Sequence, residues 1–307
     1  MSRLASRIRR STPTAASSAG SAVRLGAALL LLGAGVAGQQ PPDIDEILAR
    51  VGARIEQFYQ RAQNLMCVEK VTAQALGSDL SLQGFARVLE YDLRVELAAI
   101  DGPVTDANFV RELKKVNGHV PKPRDLDDRH TCLDPNPLTP EPLAFLLAKN
   151  RGEYVFSWGG YGKGKDANAF HIDYHPATIE KPEFIEDEKG RDDCFQLSLP
   201  VERQGKVWID ATTFDVLRIE QRLKARVDVR VPFAQQRRRN LPDRIVVERF
   251  DQVTRYKPVT FSNPEETLLL PASIEQLALL HGAQSNRKTQ VFSNYRRFLT
   301  GGRLVKE

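Results

Sequence analysis

The second half of the chain is a succession of short segments in which apolar and polar residues alternate. A period of two places the apolar side chains on one face of a β-strand. Strands at this spacing, joined by short turns, favour an antiparallel meander. The predicted strands are Tyr154–Trp158, Ala169–Tyr174, Cys194–Pro200, Gly205–Asp210, Val216–Glu220, Ala225–Val231, Arg244–Val253, Thr267–Leu279 and Thr289–Phe298. Residues 272–281 also fit a helix by pattern alone.

One amphipathic helix precedes these strands, from about Asp43 to Met66. Its apolar residues recur at steps of three and four and therefore lie on a single stripe. They are Ile44, Ile47, Leu48, Val51, Ile55, Phe58, Ala62 and Leu65. Acidic residues in the first turn suit the positive end of the helix dipole. We therefore expect a helix with one apolar face.

The segment between this helix and the alternating strands is less regular. A first strand is indicated at 68–71, and residues 82–98 indicate a hairpin or a pair of strands. Residues 100–138 are rich in Pro, Asp, Asn and Gly, which predicts a long loop excursion of the kind that often forms a lid. A cap, a proline and an acid at 139–141 then predict a short helix from about Pro140 to Lys149.

The first 38 residues have the pattern of a secretory signal peptide. Five arginines, with no acidic residue among them, precede an apolar run of about 12 residues that begins at Leu25, and small residues follow. A bilayer-spanning helix needs roughly 20 residues. We expect cleavage after Ala37 or Gly38 and a periplasmic or secreted mature chain without a transmembrane segment. An uncleaved membrane anchor is the alternative.

The basic character of the chain belongs to this N-terminal segment. The chain has 44 Lys+Arg and 39 Asp+Glu, a formal net charge of +5. Without the five arginines of residues 1–38, the chain has 39 basic and 39 acidic residues. A neutral mature chain argues against a nucleic-acid partner. We expect residues 39–299 to form a single β-rich domain and residues 300–307 to form a tail.

The sequence contains no convincing motif for catalysis, cofactor binding or metal binding. Gly159–Lys165 spells the opening of a phosphate loop, but Asp166 replaces the required Ser or Thr, and the predicted next element is a strand. His171, Asp173 and His175 would share one strand face, yet the two histidines would lie about 13 Å apart, too far to bind one ion. We expect a glycine-rich hairpin turn, a polar exposed strand face, no metal and no cofactor.

A cluster of arginines predicts a positive rim. Arg237–Arg239 lies between two predicted strands, and Arg226, Arg230, Arg244 and Arg249 are near it in sequence. Such a rim would contact an acidic partner or lipid headgroups. A solvated hairpin loop is the alternative interpretation.

The chain has three cysteines, Cys67, Cys132 and Cys194. In an oxidising compartment two of them can pair and one is left over. Their spacing matches no compact metal site. We expect one structural disulfide between two of the three, and the sequence leaves the pairing open.

Three segments resemble the lipoprotein-carrier family of LolA, LolB and the N-terminal domain of RseB. Gly205–Asp210 and Phe214–Glu220 resemble the family's strand–turn–strand that ends in Arg-Ile-Glu, and Phe292–Phe298 resembles its closing segment. The resemblance implies an α+β fold: a strongly curved antiparallel sheet or unclosed β-barrel, an N-terminal helix, and a short helix that plugs the concave face. The chain is longer than the short carriers, mainly through 100–138 and 175–193, and its cysteines are foreign to them.

A half-open barrel suits an apolar ligand, because its inner face needs a cover. The residues expected at the ligand site are Leu143, Phe145, Leu146, Leu147, Trp158 and Trp208. We expect a non-enzymatic binding protein for a lipid, an acyl chain or a lipoprotein, with an envelope protein as a further candidate partner. The alternatives are an envelope structural or interaction protein with a self-filled barrel and, less favoured, a hydrolase.

Overall fold

A computed structural model describes residues 43–62, 65–98, 106–125, 141–178, 180–187, 194–199, 204–262 and 265–297. The predicted signal peptide, Cys132 and the C-terminal tail lie outside these ranges. Within them, every helix is too short or too polar to cross a membrane.

The described residues contain three α-helices: α1, Ile44–Arg61; α2, Glu141–Ala144; and α3, Phe233–Arg239. The Asp43 side chain accepts a hydrogen bond from the Asp45 amide at 2.9 Å and so caps the first turn of α1. Helix α1 ends at Arg61 instead of Met66, because the chain is already a strand from Leu65 onward.

The same ranges contain thirteen strands. They are β1 Leu65–Leu76, β2 Leu82–Ala98, β3 Asp106–Val116, β4 Tyr154–Tyr161, β5 Ala169–Pro176, β6 Glu183–Glu186, β7 Phe195–Ser198, β8 Gly205–Asp210, β9 Val216–Arg222, β10 Val227–Arg230, β11 Arg244–Ser262, β12 Glu265–His281 and β13 Ser285–Arg297.

Most of the strands form a single antiparallel sheet. Its order is β3–β2–β1–β13–β12–β11–β9–β8–β5–β4, and β10 pairs with β11 beside this path. Strands β6 and β7 form a separate two-stranded sheet. Among the described strands no pairing joins β3 to β4, so the main sheet is unclosed. The prediction of an unclosed antiparallel sheet is confirmed.

The predicted loop excursion at 100–138 is wrong for its first part, because β3 lies within it and pairs along β2. An edge strand needs no continuous apolar face and often carries charges, and Glu112, Lys114 and Lys115 hide the alternation in β3. Residues 82–98 form one strand instead of a hairpin, and residues 272–281 belong to a strand.

Two helix predictions also change. The short helix predicted from Pro140 ends at Ala144 instead of Lys149, and irregular turns follow it. Arg237–Arg239 lies in α3 instead of a hairpin loop. Asn240, with φ 49°, adopts the left-handed conformation that commonly ends a helix.

Helix α1 distinguishes two faces of the main sheet. Its apolar stripe packs in one buried cluster with Ile172 on β5, Val207 on β8 and Ile219 on β9. We call the face that carries these residues the inner face. Because cross-strand partners share a face and residues alternate along a strand, the register assigns other side chains to the inner or the outer face.

Candidate ligand site on the inner face

The residues that include and follow α2 cover part of the inner face. We call residues 141–150 the cover segment. Its four apolar side chains, Leu143, Phe145, Leu146 and Leu147, are buried. They pack in the same cluster as the stripe of α1 and strands β5, β8 and β9. The cover segment therefore lies where a plug was predicted, although only its first turn is α-helical.

Phe145 lies in a pocket of aromatic side chains. Its ring centroid is 4.6 Å from that of Tyr174, 5.2 Å from that of Tyr154 and 6.2 Å from that of Phe156. Tyr154 and Phe156 belong to β4, which is an edge strand, so this aromatic pocket lies at the open side of the sheet. Another apolar group of similar size would find the same contacts there.

One arginine ties the cover segment to α1. Arg151 Nε donates to the Leu146 carbonyl oxygen at 2.8 Å, and Arg151 Nη2 donates to the carbonyl oxygen of Leu48 in α1. Gly52 makes room for this side chain, because a Cβ atom at that position would lie 2.3 Å from Arg151 Nη2. The glycine inside α1 is thus explained by the path of Arg151.

A small pocket lies between α1 and the sheet. Its lining includes Arg54, Ile55, Phe58, Leu143, Val216 and Leu268. It encloses about 50 Å³, enough for a few waters but far below the roughly 300–1,000 Å³ of a ligand site. Arg54 closes one side through two hydrogen bonds to Asp215, at 2.8 and 3.0 Å. With the cover segment in place, protein side chains fill this region.

Polar groups adjoin the aromatic pocket. Burial raises the pKa of the Tyr174 hydroxyl, which is hydrogen-bonded to Gln221. Gln252 Nε2 in turn donates to Gln221 Oε1 at 3.0 Å. Tyr174 is therefore a protonated phenol that links the aromatic pocket to side-chain amides on β9 and β11.

The two tryptophans lie on opposite faces of the sheet. Trp158 is partly buried on the inner face, with its ring centroid 5.5 Å from that of Phe170. Trp208 stacks on His171 on the outer face at 4.6 Å, and the Arg218 guanidinium carbon lies 4.5 Å from its ring centroid. The structure thus brings Trp158 together with the core beneath the cover segment and places Trp208 away from it.

His171 is buried, in contrast to the predicted exposed polar face. Gly159 and Gly160 lie within β4 instead of in a hairpin turn, and a Cβ atom on Gly159 would lie 2.3 Å from His171 Cδ2. Lys206 Nζ lies 3.0 Å from His171 Nε2. Burial and the Lys206 charge lower the pKa of His171. A neutral imidazole packed between glycine backbone and Trp208 fits a structural role.

A buried carboxylate on β1 was not predicted. Glu69 is completely buried on the inner face, with Arg111 Nε 2.7 Å from one oxygen and Gln290 Nε2 2.5 Å from the other. The sequence held a signal for it. Glu69 is two residues from Cys67 and from Val71, so it shares a strand face with two residues of buried type.

The cysteines show no sign of nucleophilic chemistry in the described part of the chain. Cys67 is a buried free thiol, and burial together with Glu69 raises its pKa to about 12. Nucleophilic thiols need a lowered pKa. Cys194 is also buried. Across the described ranges, no group of three or more His, Cys, Asp or Glu side chains is arranged to hold a metal ion.

Among the comparisons with known proteins, only the search of solved structures gives matches. No family model matches the chain, and no curated protein matches it. One of the solved structures that match is the LolA superfamily protein NE2245 from Nitrosomonas europaea, with 8% sequence identity and a TM-score of 0.36. The match covers 85% of this chain and 97% of that chain.

Proposed function

We propose that this protein is an exported, non-enzymatic binding protein whose ligand is a lipid or another molecule with an acyl chain. The position of Phe145 carries the proposal. Its ring comes from a segment with one helical turn and fills an aromatic pocket at the open edge of the sheet. The acyl chain would displace this ring. Its path would be lined by Leu143, Leu146, Leu147 and Trp158.

The cover segment has the properties of a displaceable element. A single helical turn is unstable by itself, because nucleation of a helix is unfavourable. Apart from apolar packing, a hydrogen bond from the flexible Arg151 side chain connects this region to α1. Lifting the segment exposes apolar surface, at about 25 cal/mol for each Å². An acyl chain in the same place would offset that cost.

The groups near the site favour binding over catalysis. Tyr174 is a protonated phenol with a raised pKa, and His171 lies on the outer face. The Cys67 thiol has a pKa of about 12. A nucleophile beside a general base is the arrangement that acyl transfer requires, and the aromatic pocket is lined by aromatic rings instead.

The second candidate is an envelope interaction protein whose inner face stays filled. The small volume between α1 and β12, about 50 Å³, favours it. In that protein the cover segment would be a permanent part of the core.

Ligand binding by a cavity variant separates these two functions. Phe145→Ala removes the ring that an acyl chain would have to displace, so the ligand no longer bears that cost. We expect the exported protein to bind hexadecanoate at micromolar concentration, and Phe145→Ala to bind it about tenfold more tightly. The measurement is displacement of the neutral dye Nile red.

Phe261→Ala is the matched control. Phe145 and Phe261 are each 8% exposed, but Phe261 packs in a different cluster. Equal gains for both variants would indicate nonspecific loosening. If neither the unmodified chain nor Phe145→Ala binds, and native mass spectrometry finds no co-purifying lipid, the interaction protein is the better description.

We also propose that Cys132 and Cys194 form the predicted disulfide. Cys67 is a free thiol, which leaves Cys132 and Cys194 as the two cysteines that can pair. A disulfide suits an oxidising compartment, which agrees with export directed by residues 1–38 to the periplasm or the exterior.

A further inference from the structure

Three connections between strands lie together at one end of the main sheet. Strand β1 ends where β2 and β13 begin, and β12 ends where β11 begins and β10 ends. Two contacts join the connections. Gln284 Nε2 donates to the carbonyl oxygen of Leu76 at 2.9 Å, and a Cβ atom on Gly282 would lie 2.5 Å from Pro242 Cγ. We call these connections, residues 77–86, 231–243 and 282–284, the loop surface.

The loop surface carries the apolar side chains that the fold leaves most exposed. Among the large apolar side chains of the described residues, Phe85, Val120, Phe233 and Leu82 have the highest exposed fractions, from 68% to 103%. Three of them belong to the loop surface, and Val120 follows β3 toward the same end of the sheet. Single exposed apolar residues are normal, but a group of them at one end indicates an interaction site.

Phe85 is projected into the solvent by an irregularity in β2. One residue of β1, Gln74, faces three residues of β2, 84–86. Bulges of this kind redirect a side chain. Gln74 Nε2 donates to the carbonyl oxygen of Gln83 at 2.9 Å, and Gly84 has the positive φ, 66°, that the backbone requires there. The exposure of Phe85 therefore follows from a defined backbone conformation.

Helix α3 presents an aromatic ring and an arginine to the solvent. Gln235 is buried, and Arg239 Nε donates to Gln235 Oε1 at 2.8 Å, so these two residues define the inward side of the helix. Phe233 and Arg237 are four residues apart and share a different, exposed side. Exposed aromatic rings beside basic side chains are typical of helices that lie at a membrane surface.

Positive charge is concentrated in the same part of the chain. Residues 222–244 contain eight basic residues and two acidic ones, a formal charge of +6, whereas the chain after residue 38 is neutral as a whole. The two acids, Asp228 and Asp243, each lie 3.8 Å from an arginine of the same region. Arg230 and Arg237 are exposed and have no acidic partner among the described residues. An anionic surface would supply the missing counter-charge.

We propose that the loop surface docks on a bilayer that contains anionic phospholipid. Leu82, Phe85 and Phe233 enter the interface, and Arg230 and Arg237 contact the headgroups. Strands β2 and β11, which lead into the two apolar parts of the loop surface, lie four strand spacings apart, about 19 Å along the sheet. A bilayer takes up both parts at this separation, whereas a small anion would contact the arginines alone.

This inference goes beyond the proposed function, because the two sites use different strands. The aromatic pocket lies on β4 and β5, and the loop surface lies on β1, β2 and β10 to β13. Docking would bring the aromatic pocket to a membrane, where molecules with acyl chains are found.

Sedimentation with vesicles tests the inference on the full exported chain. We expect binding to vesicles of phosphatidylglycerol and phosphatidylcholine, and much weaker binding to phosphatidylcholine alone. Binding should weaken between about 0.1 M and about 1 M sodium chloride, because the screening length falls from about 10 Å to about 3 Å. The double variant Phe85→Ser, Phe233→Ser should raise the Kd for anionic vesicles about tenfold, because less apolar surface is buried. Arg230→Gln, Arg237→Gln should raise it by about the same factor.

Each double variant has a matched control away from the loop surface. Val110→Ser, Tyr161→Ser removes two exposed apolar side chains from β3 and β4. Arg94→Gln, Arg296→Gln removes two exposed arginines, both opposite Met66 near the other end of β2 and β13. Both controls should bind anionic vesicles like the unmodified chain. Equal weakening in a control and in its counterpart overturns the inference, and thermal unfolding shows whether each variant keeps its fold.

The remaining outcomes separate docking from the proposed function. An unmodified chain that does not bind anionic vesicles overturns the inference. If light scattering then shows a dimer that Phe85→Ser, Phe233→Ser converts to a monomer, the loop surface is an interface between copies of the chain. Equal binding to phosphatidylcholine alone also overturns the inference, since the arginines would have no role. Hexadecanoate binding is measured without vesicles and should be unchanged in both loop-surface variants, so either proposal can fail while the other stands.

Discussion

His171 and Glu69 are buried ionisable residues on opposite faces of the sheet. His171 is kept neutral by burial and by Lys206, whereas Glu69 lies between Arg111 and Gln290. Each side chain therefore has an environment matched to one charge state. Adding a charge to His171, or removing the charge of Glu69, should therefore lower the free energy of unfolding.

Stability should fall in acid because of His171. Its pKa is lowered in the folded state, so the unfolded chain binds the proton more readily. The free energy of unfolding therefore decreases as pH falls below about 6.5, the unperturbed value for histidine. Urea unfolding at pH 7.5 and pH 5 should show a smaller pH effect in His171→Gln than in the unmodified chain.

His175→Gln serves as the control, because His175 is exposed on the same strand. Identical pH dependence in the two histidine variants would contradict a special role for His171.

Glu69→Gln should be strongly destabilising. It keeps the shape of the side chain but leaves Arg111, a largely buried cation, without its counter-charge. Removing one partner of a buried ion pair costs about 3 kcal/mol or more. Glu90→Gln breaks a more exposed pair, between Glu90 on β2 and Lys115 on β3, and should cost less than about 1 kcal/mol. Similar losses in the two variants, measured by urea unfolding, would refute this assignment.

At the scale of elements, strands with one apolar face were predictable and edge elements were not. Alternating residues in β5, β8 and β9 are dictated by the inner face that they share. Strand β3 lacks that constraint because it pairs on one side only among the described strands. The cover segment shows a different limit of prediction from sequence. The composition of Leu143–Leu147 favours a helix, but in the structure turns follow Ala144, and Arg151 holds the Leu146 carbonyl oxygen.

Gly52 and Arg151 provide a test of how the cover segment is held. In Gly52→Ala the new methyl group would displace the Arg151 guanidinium from the Leu48 carbonyl oxygen. We expect faster amide hydrogen exchange in residues 143–150, because local opening of this segment becomes easier. Arg151→Ala should give the same result. Unchanged exchange in both variants would show that apolar packing alone holds the segment.

At the scale of the whole molecule, a residue can belong to the candidate site only if its side chain lies on the inner face of the sheet. The register of the strand pairs determines which residues do so. Trp158 and Trp208 look equivalent in sequence, yet β4 and β8 orient them to opposite sides of the sheet. The same dependence concealed a row of glutamines on the inner face. Gln221, Gln252 and Gln276 are ordinary in each strand and form a row only when two strand pairings align them.

The proposed disulfide and the free Cys67 make a joint prediction about thiols. In the oxidised protein we expect one iodoacetamide-reactive thiol per chain, and only after unfolding, because Cys67 is buried with a pKa of about 12. A bond from Cys132 to Cys194 would close a loop of about 62 residues and stabilise the protein by about 4 kcal/mol. Mass spectrometry of alkylated protein counts the thiols, and three reactive thiols would refute the bond.

The unclosed sheet also has a consequence for how copies of the chain behave in concentrated solution. Strand β3 presents Glu112, Lys114 and Lys115, and charges of this kind discourage a second chain from adding a strand. Strand β4 has no charged residue from Tyr154 to Tyr161. Aggregation should therefore start at β4, and Val155→Lys should reduce light scattering on concentration, whereas Val110→Lys on β3 should not. The edge strand through which we propose that a ligand reaches the aromatic pocket is thus also the edge where the protein has the least protection against aggregation.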